Sequence, residues 1–345
     1  MRGSGLLVPA SAPALALLMG GCAGAVPSPA GNAHQEPAIT SEAIRMADGE
    51  QLPLHRWGPE TPDRVVLALH GFNDHGGSMQ ALGEAMAERG IAVYAYDQRG
   101  FGATRTAGYW PGYRLMSDDA RTAVRLLHER HPEQPTYLLG KSMGGAVALL
   151  ASSGTASRAP MGTPIAGTVL IAPAIWRRGD MPWYQRLALW LGAHFAPGWR
   201  LSGELAARLD IRPTDDPEVL ERMRADPLVR RETRIDTLDG LTRLMSRALK
   251  TSRDLPPPSL TLYGARDDLV PPGPFARLLE QLAAQESDGH RVVFYPEGYH
   301  MLTRYTGATS TFDDIATWLR DPEASLPSGH EWYPQALASH LHHSD

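Results

Sequence analysis

Cysteine is almost absent: the 345 residues contain one, Cys22. A single thiol makes no intramolecular disulfide and no multi-thiolate metal site, so a disulfide-stapled or zinc-finger scaffold is excluded. Lysine is nearly as scarce. Lys141 and Lys250 are the two lysines among 33 Lys and Arg residues, a skew that fits a GC-rich genome better than a physical need. Excess charge is missing too, with 33 basic against 38 acidic residues and a formal net charge of −5. No basic stripe stands out, which argues against nucleic acid as a partner. Long apolar runs are lacking. The stretch near the start, Leu6 to Val8 and Ala14 to Met19, is broken by Pro9 and Pro13. It is too short to cross a bilayer as a helix of about 20 residues. What remains is ordinary: 43% hydrophobic and 21% charged residues, the composition of a globular domain. The length suffices to bury a core without disulfides or metals.

The N-terminal segment has its own logic. Met1-Arg2, a short apolar centre and the small residues Gly20-Gly21 have the layout of a secretory signal peptide, read here as residues 1–21. A Cys directly after two glycines resembles a bacterial lipoprotein signal, whose Cys is lipidated and becomes the new N-terminus. The leucine usual three places before that Cys is Met19 here. Ala23 rather than Asp follows it, which by resemblance implies the outer membrane. The expectation is export across the inner membrane and a lipid anchor at Cys22 in the outer membrane or periplasm; otherwise the signal is simply cleaved and Cys22 is idle. Residues 22–37, rich in Ala, Pro, Gly and Ser, read as that Cys and a flexible tether.

From residue 43 strand and helix patterns alternate. Asp48-Gly49 between two short apolar segments is a hairpin signal. Arg64–Leu69 and Ile91–Tyr96 are continuous apolar runs suited to strands buried on both faces. Helix patterns are expected at Ser78–Arg89, from Ser117 to about Arg130, and at Met143–Ser152. Strands are expected at Thr136–Leu139, Thr168–Ala172, Leu260–Tyr263 and Arg291–Tyr295, and helices at Pro274–Gln285 and Thr311–Arg320. This alternation predicts an α/β fold, a mostly parallel twisted sheet with helices on both faces. Residues 38–320 are read as one domain. Residues about 176–255 carry only helix-like and loop-like sequence and read as a helical cap insertion. Residues 321–345 read as a surface tail whose His340, His342 and His343 are an exposed His-rich end rather than a metal site.

Three strand ends collect the reactive residue types. Gly140-Lys141-Ser142-Met143-Gly144-Gly145 follows one strand pattern and opens a helix pattern. Gly-x-Ser-x-Gly in that context is a nucleophile elbow, a turn tight enough to exclude side chains at its glycine positions. A serine hydroxyl needs a base. His300 follows the strand Arg291–Tyr295, in Glu297-Gly298-Tyr299-His300, and is the candidate base. An acid is needed to orient it. Asp267, past the strand Leu260–Tyr263, fits that role better than its neighbour Asp268, which is left to cap the turn. The order Ser, acid, His is that of an α/β-hydrolase. The third strand end is His70-Gly71-Phe72-Asn73-Asp74-His75-Gly76-Gly77. Acyl transfer develops an oxyanion, and the backbone N–H groups of Phe72 and Met143 are the candidate donors. His70 and His75 read as holding the loop, and Asp74 as a loop cap or a contact to a polar substrate head.

Together these motifs resemble the α/β-hydrolase branch of monoacylglycerol lipases, lysophospholipases and serine aminopeptidases. The matching residues are His70-Gly71 with Gly76, Asp97-Gln98-Arg99-Gly100-Phe101-Gly102, Gly140–Gly145, Asp226-Pro227-Leu228-Val229, Gly264–Asp267 and Gly298–His300. They span about residues 43–320. The resemblance implies a structural, loop-stabilising role for Asp97 and Arg99. Two positions depart from the pattern, which often has His where Lys141 and Phe101 stand. Lys141 either adds positive charge beside the nucleophile or is solvated on the rim, the reading preferred at this point. The resemblance implies hydrolysis of small amphiphilic carboxylic esters, monoacylglycerol or lysophospholipid in type, without metal or organic cofactor. Peptide or amide cleavage and acyl transfer to another acceptor use the same residues, and a non-catalytic lipid-binding lipoprotein is the remaining alternative.

The cap is aromatic. Trp176, Trp183 and Trp190 are spaced by seven, so they share one face if helical, and Phe195 and Trp199 follow. Trp183, Trp190 and Phe195 are candidate substrate-binding residues; packing of the cap onto the core is the other reading. The charged stretch Asp210–Arg234 reads as a solvated helix face. Nothing in the sequence speaks to the oligomeric state.

Overall fold

Along the strand Arg64–Leu69 every residue from Val65 on is buried, because successive side chains point to opposite faces and both faces are covered. Val66 and Ala68 join one apolar layer with Leu82, Met86, Ile315, Trp318 and Leu319. Val65, Leu67 and Leu69 join the other with Val124, Leu127, Val147 and Leu150. This two-sided burial explains the unbroken apolar runs that set the strands.

The computed structural model describes residues 35–153, 165–202, 211–285 and 287–343. The expected signal segment, Cys22 and most of the tether lie outside the described residues. The chain enters through β1 (Ala38–Ile39), β2 (Ala43–Arg45) and β3 (Gln51–Trp57). There follow β4 (Arg64–Leu69), α1 (Gln80–Ala87), β5 (Ile91–Tyr96), α2 (Tyr113–Arg130), β6 (Thr136–Lys141), α3 (Met143–Ser153) and β7 (Thr168–Ile171). The middle of the chain holds α4 (Trp183–Phe195), β8 (Arg200–Ser202), α5 (Pro217–Ala225), β9 (Glu232–Arg234) and α6 (Ile235–Thr251). The last part holds β10 (Ser259–Arg266), α7 (Pro272–Ala283), β11 (His290–Tyr299), α8 (Ala308–Arg320), β12 (Glu331–Trp332) and α9 (Pro334–His342).

Among the described residues one large sheet has the order β1-β2-β3-β5-β4-β6-β7-β10-β11-β12. The strands from β5 to β11 run parallel to their neighbours, and β3 and β12 flank them antiparallel. This is the α/β-hydrolase architecture that the alternation predicted. The β2–β3 hairpin turns at Asp48-Gly49, where Gly49 takes φ 82°.

The structure corrects several expectations. The helix expected from Ser117 begins at Tyr113, after Gly112 at φ 93°. Ser117 and Asp119 are therefore buried inside it rather than standing at its start. The middle segment is not wholly helix and loop, since β8 and β9 pair antiparallel. Helix α6 buries Leu244, Ala248 and Leu249 in the same layer as α3. Trp176 precedes α4 and does not share its helical face. The C-terminal segment is structured: β12 adds to β11, and α9 buries Leu337, Ala338 and Leu341. Its histidines are engaged locally, His342 Nε2 with Glu280 Oε1 at 2.8 Å and the His340 ring 5.4 Å from that of Trp332.

Candidate active site

Ser142 sits at the carboxyl end of β6 with φ 54°, in the left-handed region that a serine rarely occupies. Backbone bonds hold it there. Its N–H donates to Ile171 O at 2.9 Å, and its carbonyl accepts from Ala146 N at 3.2 Å and Ala174 N at 2.9 Å. The flanking glycines are steric necessities. A Cβ at Gly140 would meet the carbonyl of Gly144, and one at Gly144 would meet the carbonyls of Leu69 and His70. The elbow thus presses against the end of β4, and Ser142 opens helix α3, whose amino end carries partial positive charge.

The sheet brings Asp267 and His300 together. In the β10–β11 register Arg266 stands opposite Tyr299, so the next residue on each strand lies at the same edge. His300 Nδ1 is 2.8 Å from Asp267 Oδ2. Asp267 also uses its other oxygen: Oδ1 accepts from Leu269 N at 2.8 Å and Val270 N at 2.9 Å. It is therefore Asp267 itself that caps its turn. Asp268 instead accepts from Arg212 N in the cap at 3.1 Å, which corrects the turn-capping role expected of it. Strand β11 runs to Tyr299, longer than expected, so His300 follows it immediately. With β6, β7, β10 and β11 adjacent in that order, Ser142, Asp267 and His300 all stand at the carboxyl edge of the parallel strands. That edge is where open α/β sheets bind ligands.

The loop after β4 closes on the elbow. A Cβ at Gly71 would stand 3.5 Å from Ser142 Cβ, so the chain passes against the serine just before Phe72. His70 braces the turn: Nδ1–H donates to Gly71 O at 2.8 Å and Nε2 accepts from Gln98 N at 2.9 Å. Burial lowers its pKa to about 4, more than the nearby Asp74 carboxylate raises it, so the ring is neutral and its tautomer is set by these two bonds. Asp97 holds the far end, its Oδ1 accepting from Gly76 N and its Oδ2 from Ala103 N, each at 2.7 Å. Arg99 pairs with Asp119 and Asp48. Phe101 is buried 5.6 Å from the Phe72 ring and 5.9 Å from that of His70. Three bonds tie this loop to the cap: His75 Nε2 to Asp226 Oδ2 at 2.8 Å, Arg230 N to Asn73 O at 2.9 Å, and Asn73 Nδ2 to Thr233 Oγ1 at 2.8 Å.

Lys141 is not on the rim. It is 2% exposed, and its Nζ lies 3.3 Å from Asp74 Oδ2. The elbow turns its side chain inward beneath the loop. Arg304, which the sequence offered no reason to single out, reaches the same oxygen at 2.7 Å. Burial, together with the Arg304 charge, lowers the Lys141 pKa to about 8 against the pull of Asp74. Burial works to raise the Asp74 carboxyl, but the two cations hold it well below the usual carboxylate range. Asp74 also accepts from His75 N at 3.1 Å, as a loop cap does.

The cap aromatics stand outside the core. Trp183 is 69% exposed and Phe195 65%, with Trp190, Leu187, Leu191 and Trp199 also exposed. Packing of the cap onto the core is therefore not what occupies them.

Comparison with known proteins agrees with this architecture. The family model described as serine aminopeptidase, S33 (Hydrolase_4) matches residues 60–305. A monoacylglycerol lipase of Mycolicibacterium smegmatis is 29% identical over 280 residues, covering 79% of this chain and 93% of that protein. The monoglyceride lipase of Homo sapiens is 27% identical over 299 residues, covering 81% of this chain and 90% of that protein. Among solved structures, a soluble variant of Saccharomyces cerevisiae monoglyceride lipase superposes with a TM-score of 0.66 at 19% identity, over 85% of this chain and 99% of that one. Paleococcus ferrophilus monoacylglycerol lipase superposes at 0.61 and 23% identity, over 78% of this chain and 98% of that one. These two structures share the fold. The family match spans well over half of the chain, which therefore belongs to the Hydrolase_4 (serine aminopeptidase, S33) family and is a serine hydrolase.

Proposed function

We propose that this enzyme cleaves carboxylic esters of monoacylglycerol or lysophospholipid type through an acyl-enzyme on Ser142. The observation that carries this reading is the 2.8 Å contact between His300 Nδ1 and Asp267 Oδ2 on the sheet edge that also bears the left-handed turn of Ser142. With Nδ1–H donated to Asp267, Nε2 is the free basic nitrogen. It takes the Ser142 hydroxyl proton as Oγ bonds to the ester carbonyl carbon. The carbonyl oxygen becomes an oxyanion, held by the backbone N–H groups of Met143 and Phe72, each contributing about 3 kcal/mol. His300 then gives its proton to the leaving alcohol as the ester C–O bond breaks. Water, deprotonated by His300, releases the acid and regenerates Ser142. The reaction calls for no metal or organic cofactor.

The exposed aromatic face of α4 supports an amphiphilic substrate, since Trp183, Trp190 and Phe195 offer apolar surface to an acyl chain or a lipid surface. The relatives named as monoacylglycerol lipases support the same class. The family description favours a second reading, release of an N-terminal amino acid. That reaction needs an unpaired carboxylate for the substrate ammonium. Asp74 is engaged by Lys141 and Arg304, and Asp226 by His75, which supports the ester reading.

Residues 1–22 support export and lipidation of Cys22, putting the enzyme at a bacterial membrane surface. Metabolic labelling with an alkynyl fatty acid tests the anchor: label should enter the wild type and not Cys22→Ser.

The decisive assay uses a medium-chain monoacylglycerol, a lysophospholipid, a short p-nitrophenyl ester and an aminoacyl anilide, with Ser142→Ala as control and glycerol as a competing acyl acceptor. Preferential cleavage of the lipid esters is expected. Preferential anilide cleavage overturns the ester reading, and new glycerol esters in place of free acid mark a transferase. Full activity in Ser142→Ala overturns the mechanism.

A further inference from the structure

Behind the loop that faces Ser142, three side chains from separate segments of the chain converge on one point. His55 comes from β3, Asp97 directly follows β5, and His75 lies in the loop after β4. Their nearest ligand-type atoms all lie within 4.8 Å of one another. His55 Nε2 is 3.7 Å from Asp97 Oδ1. Two ligands of a tetrahedral zinc with bonds of about 2.1 Å are separated by about 3.4 Å, so this pair stands near ligand spacing.

His75 supplies the second observation. Its ring is buried, and Nδ1 has no hydrogen-bond partner. Its other nitrogen, Nε2, is 2.8 Å from Asp226 Oδ2. A carboxylate there fixes the proton on Nε2 and leaves Nδ1 as a lone pair. That is the carboxylate–histidine pairing that orients metal-bound imidazoles and raises their basicity. A buried lone pair without a donor is costly unless something binds it. Asp97 retains accepting capacity, since each of its oxygens takes a single backbone N–H and has a further lone pair.

The site has access and shape. A cavity of about 840 Å³ is bordered by His55, His75 and Asp226, and neither Ser142 nor His300 lines it. His55, with a side chain 36% exposed, can move to close the geometry. Gly77 passes directly against the two imidazoles. A Cβ there would stand 2.8 Å from His75 Cε1, 3.0 Å from its Nδ1 and 3.3 Å from His55 Cε1.

We propose that His55 Nε2, His75 Nδ1 and Asp97 Oδ1 bind one zinc-class divalent cation, distinct from the hydrolytic centre. Two imidazoles and one carboxylate are donors that suit zinc, with water completing the tetrahedron. The cation would join β3, the end of β5 and the loop beside Ser142, and through Asp226 it would reach the cap. Its role is to clamp that loop, not to take part in ester cleavage.

The test is titration of the metal-free full chain with zinc chloride, read by calorimetry and by competition with a chromophoric chelator. Circular dichroism establishes the fold of each variant. The wild type should take up one zinc per chain, with a rise in Tm. His55→Gln should weaken that binding by more than about a hundredfold, beyond the roughly 10–100-fold usual for the loss of an outer-shell partner alone. Gly77→Ala should weaken it independently, by filling the space beside Nδ1. A variant with His340, His342 and His343 all changed to Gln should bind as the wild type does. Absence of zinc binding by the wild type overturns the proposal. So does zinc binding unchanged in His55→Gln, or lost in the tail variant.

Discussion

Lys141 Nζ stands 3.3 Å from Asp74 Oδ2, one residue before the serine of the elbow, and Arg304 Nη2 meets the same oxygen at 2.7 Å. One buried carboxylate thus separates a buried and a partly buried cation next to Ser142. In a low-dielectric interior the carboxylate matters more than either cation, because it alone keeps the other two from facing each other.

Asp74→Asn should therefore destabilise the fold by about 3–5 kcal/mol, the cost of uncompensated buried charge. Lys141→Met should cost less, since Asp74 keeps Arg304 and the methionine stem fills the same channel. Urea unfolding of both variants checks the order; Lys141→Met as the more damaging change would refute it.

Ser142→Ala should reduce ester turnover by about 10⁴-fold or more while leaving Tm close to that of the wild type. Asp267→Asn should also lose about 10⁴-fold, by favouring the wrong tautomer of His300. Its side-chain carbonyl can still accept from Leu269 N and Val270 N, so its stability should hold. Met143→Ala should show the reverse pattern. Its side chain is buried and its loss costs about 2–5 kcal/mol of stability, whereas its backbone N–H is retained and turnover should fall far less. Steady-state kinetics beside thermal melts separate the three.

Stability should depend on pH through His70. The folded imidazole titrates at about 4 and the unfolded one at 6.5. Between these values the unfolded state binds the extra proton, so stability drops as pH falls through that window. His70→Gln should flatten Tm across it. Lys141 acts at the other end, with a folded pKa of about 8 against 10.5. Its contribution to stability rises with pH between those values, and Lys141→Met should remove that rise. Melting curves from acid to alkaline pH test both, and unchanged slopes in the variants would refute the assignments.

The exposed face of α4 should matter only for aggregated substrate. Trp183→Ser with Trp190→Ser should reduce hydrolysis of micellar monoacylglycerol several-fold and leave a soluble p-nitrophenyl ester unaffected. An equal loss on both substrates would place these residues in general support of the site.

Local sequence by itself determined the parts that depend on near neighbours. The alternation of apolar runs and amphipathic stretches set the parallel sheet, because two-sided burial demands continuous apolar strands. The elbow was legible because a turn that tight leaves no room for a Cβ at Gly140 or Gly144. Asp267 and His300 were legible as polar residues just past apolar strands, and the β10–β11 register joins them. Tertiary structure alone decided the rest. Lys141 read as a rim residue because its burial depends on partners 67 residues before it and, through Asp74, a further 230 residues along the chain. The C-terminal segment read as a tail because its few apolar residues gain meaning only against α7 and β11. The convergence of His55, His75 and Asp97 was equally invisible, since a strand, a loop and the residue after another strand supply it. Backbone turn chemistry is local and leaves a mark in sequence. The pairing of buried charges and lone pairs is set by whichever distant segments the fold packs against them.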